Sequence, residues 1–431
     1  MAKIDSNKLV NSNLYYVIEE NGEVTITGLK DKNAKTCVIP EKIDNKPVTK
    51  IRKKAFYNYE NLESIEMPSI IEIEENAFFE CSNLKSIKMP NVTKIGESAF
   101  AQCSNLKSVS LPKITEIGEG VFEECIGLES VEIPNAIKIG NSAFIKCNNL
   151  KNVKMPKVTE IGDSAFYRCY SLKNLEMPKV TKIGSNVFNT CDSLLTAEMP
   201  EVIEIGDNAF YGCDSLRNVK APKLTEVGSY VFYSCYALTN IEMPKVTKIG
   251  FRAFQFCNKL KNVQLLNATK IESDAFNNCS SLESIKLPKV EEIEGNVFGE
   301  CSSLKSVELP KVRIIGRYAF SDCSNLKNIK LPSLLKIDVG AFSDCSNLEN
   351  IEIPNVTEIE EDAFLNCPKL KTLKLNGEVE IASEMVFRCR DYYKDIPYDT
   401  HMTVYINRIE DPNGLDKFKN SWGAKEVIYL K

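Results

Sequence analysis

Phenylalanine recurs every 22 residues, at positions 56, 78, 100 and onward to 364, through fifteen units without a slip. Leucine follows six residues after each, from Leu62 to Leu370. Between them fourteen units place cysteine, Cys81 to Cys367, and the first places Tyr59. Thirteen units close with proline, Pro68 to Pro354; Leu266 and Asn376 are the exceptions. A segment of 22 residues cannot enclose a core alone. It can form one coil of a solenoid, whose apolar face is completed by the coils on either side. A 431-residue length would otherwise suggest about three domains. The repeat predicts one long array instead.

Within a unit, Leu84-Lys85-Ser86-Ile87-Lys88-Met89-Pro90 alternates apolar and polar positions at Ile87-Lys88-Met89, the pattern of a strand with one buried face. Pro90 lacks an N–H and ends the strand. One such strand per coil predicts a parallel sheet with rungs about 4.8 Å apart. A second short extended piece, Val92-Thr93-Lys94-Ile95, follows. The next position is glycine in nine of fourteen coils (Gly96 to Gly250, and Gly316) and Glu74, Glu272, Glu294, Asp338 or Glu360 in the others. A left-handed turn is expected there. The Ala-Phe-x-x-Cys stretch predicts a helical turn that sends Phe and Cys inward.

Together, Leu-x-x-Ile-x-Leu/Met-Pro and Ile-Gly-x-x-Ala-Phe-x-x-Cys-x-x-Leu resemble the BspA-like leucine-rich repeats over roughly residues 51–381. The resemblance implies a β-rich α/β solenoid: a right-handed leucine-rich-repeat arc of about fifteen 22-residue coils, with a parallel sheet on the concave face and a cap at each end. It also implies a non-enzymatic binding role at a cell surface or in secretion, commonly adhesion. The general leucine-rich pattern has Asn or Cys shortly after the strand. Here Val92, Ile114 or Val158 stands there, and the cysteine lies before the strand.

The ends break register. Strands flank Asn21-Gly22 between residues 14 and 29, a hairpin signal. Residues 37–51 read as an irregular first coil, so residues 1–50 form an N-terminal hairpin and capping coil. The array spans 51–381 and a C-terminal cap spans 382–431, where Phe387 and Cys389 fall out of step. In that cap Thr403–Ile406 and Glu426–Leu430 read as strands, and Gly414 to Trp422 as a short amphipathic helix with Leu415, Phe418 and Trp422 on one face.

Composition narrows function. The single histidine, His401, leaves no His pair for zinc and no HExxH, and any Ser-His-Asp scheme would rest on it alone. No metal or other cofactor is called for. With 54 basic and 59 acidic side chains the net charge is −5, which disfavours nucleic acid as a partner. No stretch reaches the ~18 apolar residues of a membrane helix. The first residues lack the apolar region of a secretion signal. The sequons at Asn91, Asn267, Asn278 and Asn355 match chance for an Asn-rich chain.

The cysteine column invites a metal or redox reading. Metal sites need clusters such as Cys-x2-Cys, and none occurs. Neighbouring rungs hold their thiols parallel, a poor fit to disulfide geometry. Core packing is expected, with inert thiols. The strand position from Glu66, Lys88 and Ser110 to Lys374 mixes charge and predicts a solvated face, or a polar surface for a protein or glycan. A seam of lysines after the prolines (113, 157, 179, 223, 245, 289, 311) reads as a solubility device. Surplus aromatics are more informative. Tyr167, Tyr170, Tyr211, Tyr230, Tyr233, Tyr236, Phe251 and Phe256 stand beyond the repeat Phe; Tyr170, Tyr230, Tyr236, Phe251 and Phe256 occupy positions that hold Ser, Asn, Asp or Glu in most coils, and the other three share a mixed column. Tyr211 and Tyr233 share a column on adjacent coils. An aromatic patch on a polar surface is a partner-site signal. The expected function is non-catalytic binding of a macromolecule, protein or glycan. The alternative is an intracellular interaction scaffold.

Overall fold

The computed structural model describes residues 13–375, 380–381, 403–406 and 426–429. The chain divides into two compact units, Met1–Ala221 and Pro222–Lys431. Each is a parallel β-solenoid with a 22-residue period, and the described residues contain no helix.

Each coil carries a long and a short strand. In the first unit Thr36–Val38, Ser64–Glu66 and Ser86–Lys88 pair in parallel, with Cys37 opposite Ile65 and Ile65 opposite Ile87. The short strands Glu116–Ile117, Lys138–Ile139, Glu160–Ile161, Lys182–Ile183 and Glu204–Ile205 form a second parallel ladder. In the second unit Asn328–Lys330, Asn350–Glu352 and Thr372–Leu375 continue in parallel into Thr403–Ile406 and Glu426–Tyr429. The two expected C-terminal strands are therefore present. The expected helix at Gly414 to Trp422, with Phe387 and Cys389, lies outside the described residues. The expected hairpin is Leu14–Ile18 paired antiparallel with Val24–Leu29.

The unit from Leu106 to Cys125 shows the core. Leu106, Val109, Leu111, Ile114, Ile117, Val121, Phe122 and Cys125 are all buried. Equivalent residues of successive coils lie on top of one another. In the first unit the phenylalanine rings stack with centroids 4.8 Å (Phe56 to Phe78) to 5.6 Å (Phe166 to Phe188) apart. In the second they stack at 5.1 Å (Phe254 to Phe276) to 5.8 Å (Phe276 to Phe298). Burying a ring of this size is worth up to about 3 kcal/mol per rung by transfer alone.

Two local expectations are corrected. First, the Ala-Phe-x-x-Cys stretch is a run of tight turns, not a helical turn. Ser98, Phe100 and Gln102 donate their N–H groups to Glu119, Val121 and Glu123 of the next coil, while Ala99, Ala101 and Cys103 donate three residues back within their own coil. A helix would need every N–H for itself; here alternate donors serve the neighbouring rung. Phe and Cys do point inward, as expected. Second, the left-handed residues are not the glycine column. They fall two residues before and two after each Phe, at Ser98 (φ 51°) and Gln102 (φ 61°) in one coil and at Arg252 (φ 55°) and Phe256 (φ 64°) in another. The glycines answer to crowding. A Cβ on Gly96 would lie 2.4 Å from the Glu75 nitrogen, and one on Gly140 would lie 2.8 Å from the Gly118 carbonyl carbon. Where glutamate replaces glycine, its carboxylate has a use. Glu74, Glu272 and Glu294 accept the N–H of Lys53, Phe251 and Ser273 in the preceding coil, at 2.7, 3.0 and 2.8 Å.

Candidate functional site

The thiol column is structural. Cys81 donates its S–H to the Phe56 carbonyl at 3.0 Å, Cys103 to Phe78 at 3.2 Å, and the pattern recurs in the second unit from Cys257 onto Phe232 at 3.2 Å. Among the described residues, fifteen cysteines are free and buried. Burial pushes the thiols of Cys37, Cys81 and Cys301 up to about 12. No group of metal-ligating side chains occurs among the described residues. Tyr59 stands in for the first cysteine because the rung below it is the hairpin. Its hydroxyl donates to the Leu29 carbonyl at 3.0 Å and accepts the Leu29 N–H at 3.2 Å.

The exposed side of the long strands is a mosaic of charges that satisfy one another. Lys88 pairs with Glu66, and Lys286 with Glu308 at 3.1 Å. Lys330 pairs with Glu352 at 3.2 Å. In each unit this face carries a depression. One is lined by Asn174, Glu176, Thr196 and Glu198, the other by Asn328, Lys330, Asn350 and Glu352. In the lysine seam, Lys113, Lys157 and Lys289 donate to the Asn91, Asn135 and Asn267 side chains one coil back, at 2.6–2.7 Å. Those asparagines donate in turn to the Pro68, Pro112 and Pro244 carbonyls. Asparagine and lysine of adjacent coils thus form local pairs in this column, each closing on a proline carbonyl.

The surplus aromatics lie on the turn side, away from the strand face. Four of them, all in the second unit, touch in a chain: Phe251, Tyr230, Tyr233 and Phe256. Tyr230 meets Phe251 edge-on at 5.4 Å and Tyr233 at 5.6 Å, and Tyr233 meets Phe256 edge-on at 5.5 Å. All four are half-buried. Tyr236, in the same unit, stands out at 45% exposure. Tyr167, Tyr170 and Tyr211 belong to the first unit, where Arg168 lies 5.1 Å over the Tyr167 ring and Tyr170 is 36% exposed.

The chain of rings brings polar groups that the aromatic count missed. Arg252 lies 4.8 Å over Phe251 and pairs with Asp274 at 3.4 Å. The buried Gln255 donates from Nε2 to Asn277 Oδ1 at 2.8 Å, and Asn277 Nδ2 donates to the Gly299 carbonyl at 3.2 Å. Gln255 and Asn277 continue the column of Tyr211 and Tyr233, one residue after each repeat Phe. That column was the signal that could have found them.

Comparison with known proteins decides the family. The profile of the BspA type leucine-rich repeat region (6 copies) matches residues 30–138, 73–195, 115–223, 181–301 and 269–394. The chain belongs to this family. A leucine-rich repeat protein from Bacteroides ovatus is 25% identical over 92% of this chain and 98% of its own, with a TM-score of 0.57. A leucine rich cell surface protein from Faecalibacterium prausnitzii is 25% identical over 69% of this chain and 93% of its own, with a TM-score of 0.38. The pneumococcal vaccine antigen PcpA is 18% identical over 97% of each chain, with a TM-score of 0.34. No curated protein matches. Membership in a BspA type family agrees with the binding role of leucine-rich repeats in general, and among the described residues no helix is long and apolar enough to cross a membrane.

Proposed function

We propose that this BspA type protein is a non-catalytic binding module that presents the turn side of its second unit to a protein or glycan partner, in adhesion or host interaction at a cell surface. One observation carries the reading: Tyr230, Tyr233, Phe251 and Phe256 form a continuous ring cluster, and all but Tyr233 stand at positions that are polar in most coils. Half-exposed aromatics anchor interfaces because they supply large contact area at small entropic cost. In this reading residues 1–50 and 382–431 cap the array. The test uses the full chain against immobilised extracellular proteins and glycans, beside a Tyr230→Ser, Tyr233→Ser, Phe256→Ser triple variant. Loss of binding by at least about tenfold, or ~1.4 kcal/mol, with unchanged circular dichroism is expected. Equal binding by the variant would remove the cluster from the interface.

A second reading, an intracellular interaction scaffold, draws on the fifteen free cysteines. Free thiols are usual in reducing compartments. Antibody labelling of intact producing cells separates the two: surface signal rejects the scaffold, and signal only after permeabilisation supports it.

A further inference from the structure

We infer that the depression on the strand side of the second unit, around Asn328, Asn350 and Thr372, binds a carboxylated sugar unit of an acidic glycan. This is a second site, away from the aromatic cluster, and it stands independently of that reading.

The position two residues after each repeat leucine is Ser, Asn or Thr in all fifteen coils, from Ser64 to Thr372. At Asn328, Asn350 and Thr372 this uncharged column runs along a depression of about 540 Å³. Small-ligand sites occupy roughly 300–1,000 Å³. Asn350 Nδ2 donates to Asn328 Oδ1 at 2.6 Å, and Thr372 Oγ1 donates to Asn350 Oδ1 at 2.5 Å. These bonds hold the amides in one orientation. They leave both N–H groups of Asn328 and one of Asn350 for a ligand.

Charge sets the sign of that ligand. Lys327, Glu349 and Lys371 stand on one flank of the column, and Lys330, Glu352 and Lys374 on the other. Lys371 pairs with Glu349 at 2.9 Å, and Lys330 with Glu352 at 3.2 Å. Lys327 and Lys374 form no ion pair among the described residues, so four lysines against two glutamates leave two positive charges over. The next rung sets Thr403 and Tyr405 in register with Thr372 and Lys374 and adds no acid to either column. A carboxylate placed here gains charge-assisted bonds from ammonium and amide N–H groups together.

Topology sets the class. Asn350–Glu352 is hydrogen-bonded to a strand on each side, Asn328–Lys330 and Thr372–Leu375. An extended peptide therefore has no free edge to join, and recognition falls to side chains alone. A sugar acid suits such a surface. Its rim hydroxyls both donate and accept, so they match the amides and the threonine oxygen, while its carboxylate meets Lys327 or Lys374.

Calorimetry of the full chain tests this with tetragalacturonate, tetramannuronate and a hyaluronan hexasaccharide. Cellohexaose and maltohexaose serve as neutral counterparts and hexaglutamate as the peptide arm. At least one acidic sugar should bind, more weakly as salt is added, and the neutral sugars should not. A Lys327→Gln, Lys374→Gln double variant should bind about tenfold more weakly. Its melting temperature should hold, because neither lysine is in an ion pair. Lys374→Glu should weaken binding further. The Tyr230→Ser, Tyr233→Ser, Phe256→Ser variant should bind the acidic sugar as wild type does, which keeps this site and the turn-side cluster separately testable. No binding by any acidic sugar would overturn the proposal, as would equal binding of neutral sugars or binding of hexaglutamate alone. So would a double lysine variant that binds as wild type, or loss of the acidic sugar in the folded aromatic variant, which would move the site to the turn side.

Discussion

At the scale of single residues, each column has its own physical reason, and substitutions should report it. Gly140 and Gly118 occupy the same column, but an added Cβ meets backbone at 2.8 Å on Gly140 and nothing nearer than 3.5 Å on Gly118. Gly140→Ala should therefore cost about 1–3 kcal/mol, the usual range for overpacking, while Gly118→Ala stays near neutral. Chemical denaturation of the two variants checks the difference. Tyr59→Phe removes the hydroxyl that both donates to and accepts from Leu29. A loss of about 1–3 kcal/mol is expected, with faster amide exchange in the hairpin. Thiols buried and pushed up in this way should resist alkylation at neutral pH until the chain is denatured. Rapid native labelling of Cys81 or Cys301 would contradict the packing described.

At the scale of the strand ladders, charge pairing runs from coil to coil. The lysine one coil on donates a hydrogen bond to each of Glu63, Glu72, Glu129, Glu283 and Glu349 and holds its carboxyl below the usual range. A carboxylate whose folded value is depressed stabilises the fold above its unfolded value, about 4.3, and that contribution is lost as pH falls through the folded value. Lys182, held up by its bond to Glu204, acts at the other end. Its contribution is present below about 10.4 and is lost as pH rises through the folded value. Burial raises Asp192 and Asp214, which oppose the acid trend. The depressed carboxyls outnumber them. The melting temperature should hold between the two limits and drop below about pH 4, and added salt should shrink the drop because the pairs are exposed. A melting temperature that rises steadily on acidification would contradict the ladder.

For the molecule as a whole, the repeat makes length adjustable in whole coils only. Removing 22 residues, such as 114–135, should rejoin equivalent positions and keep the sheet register. Removing 21 would put apolar side chains on the wrong face for the remainder of the unit. The first deletion is expected to melt cooperatively with a parallel-sheet circular dichroism spectrum; the second is expected to aggregate or lose that spectrum. Phe144→Ala, within the stack of the first unit, should cost about 3–5 kcal/mol. Its two stacking neighbours, Phe122 and Phe166, lie 5.4 and 5.3 Å away and cannot close the gap without leaving their own rungs.

The sequence by itself determined the coil. A period of 22 with Phe, Cys, Leu and Pro in step leaves one arrangement that buries every apolar column, and the alternation at Ile87-Lys88-Met89 selects the strand. The hairpin at Asn21-Gly22 and the strand at Thr403–Ile406 were legible for the same local reasons. Tertiary structure decided what depends on the distance between coils. It replaced the helical turn by alternating donors, because each rung needs half of its N–H groups for the next. It gave most of the glycine column a steric role, since at Gly96, Gly140 and Gly250 an added Cβ would lie within 3 Å of the preceding coil's backbone. It also brought Tyr230, Tyr233, Phe251 and Phe256 into ring contact and set Gln255, Arg252 and Asp274 beside them. Spacing along the chain specifies which residues share a column. Only the stacked coils settle which side chains in neighbouring columns reach one another.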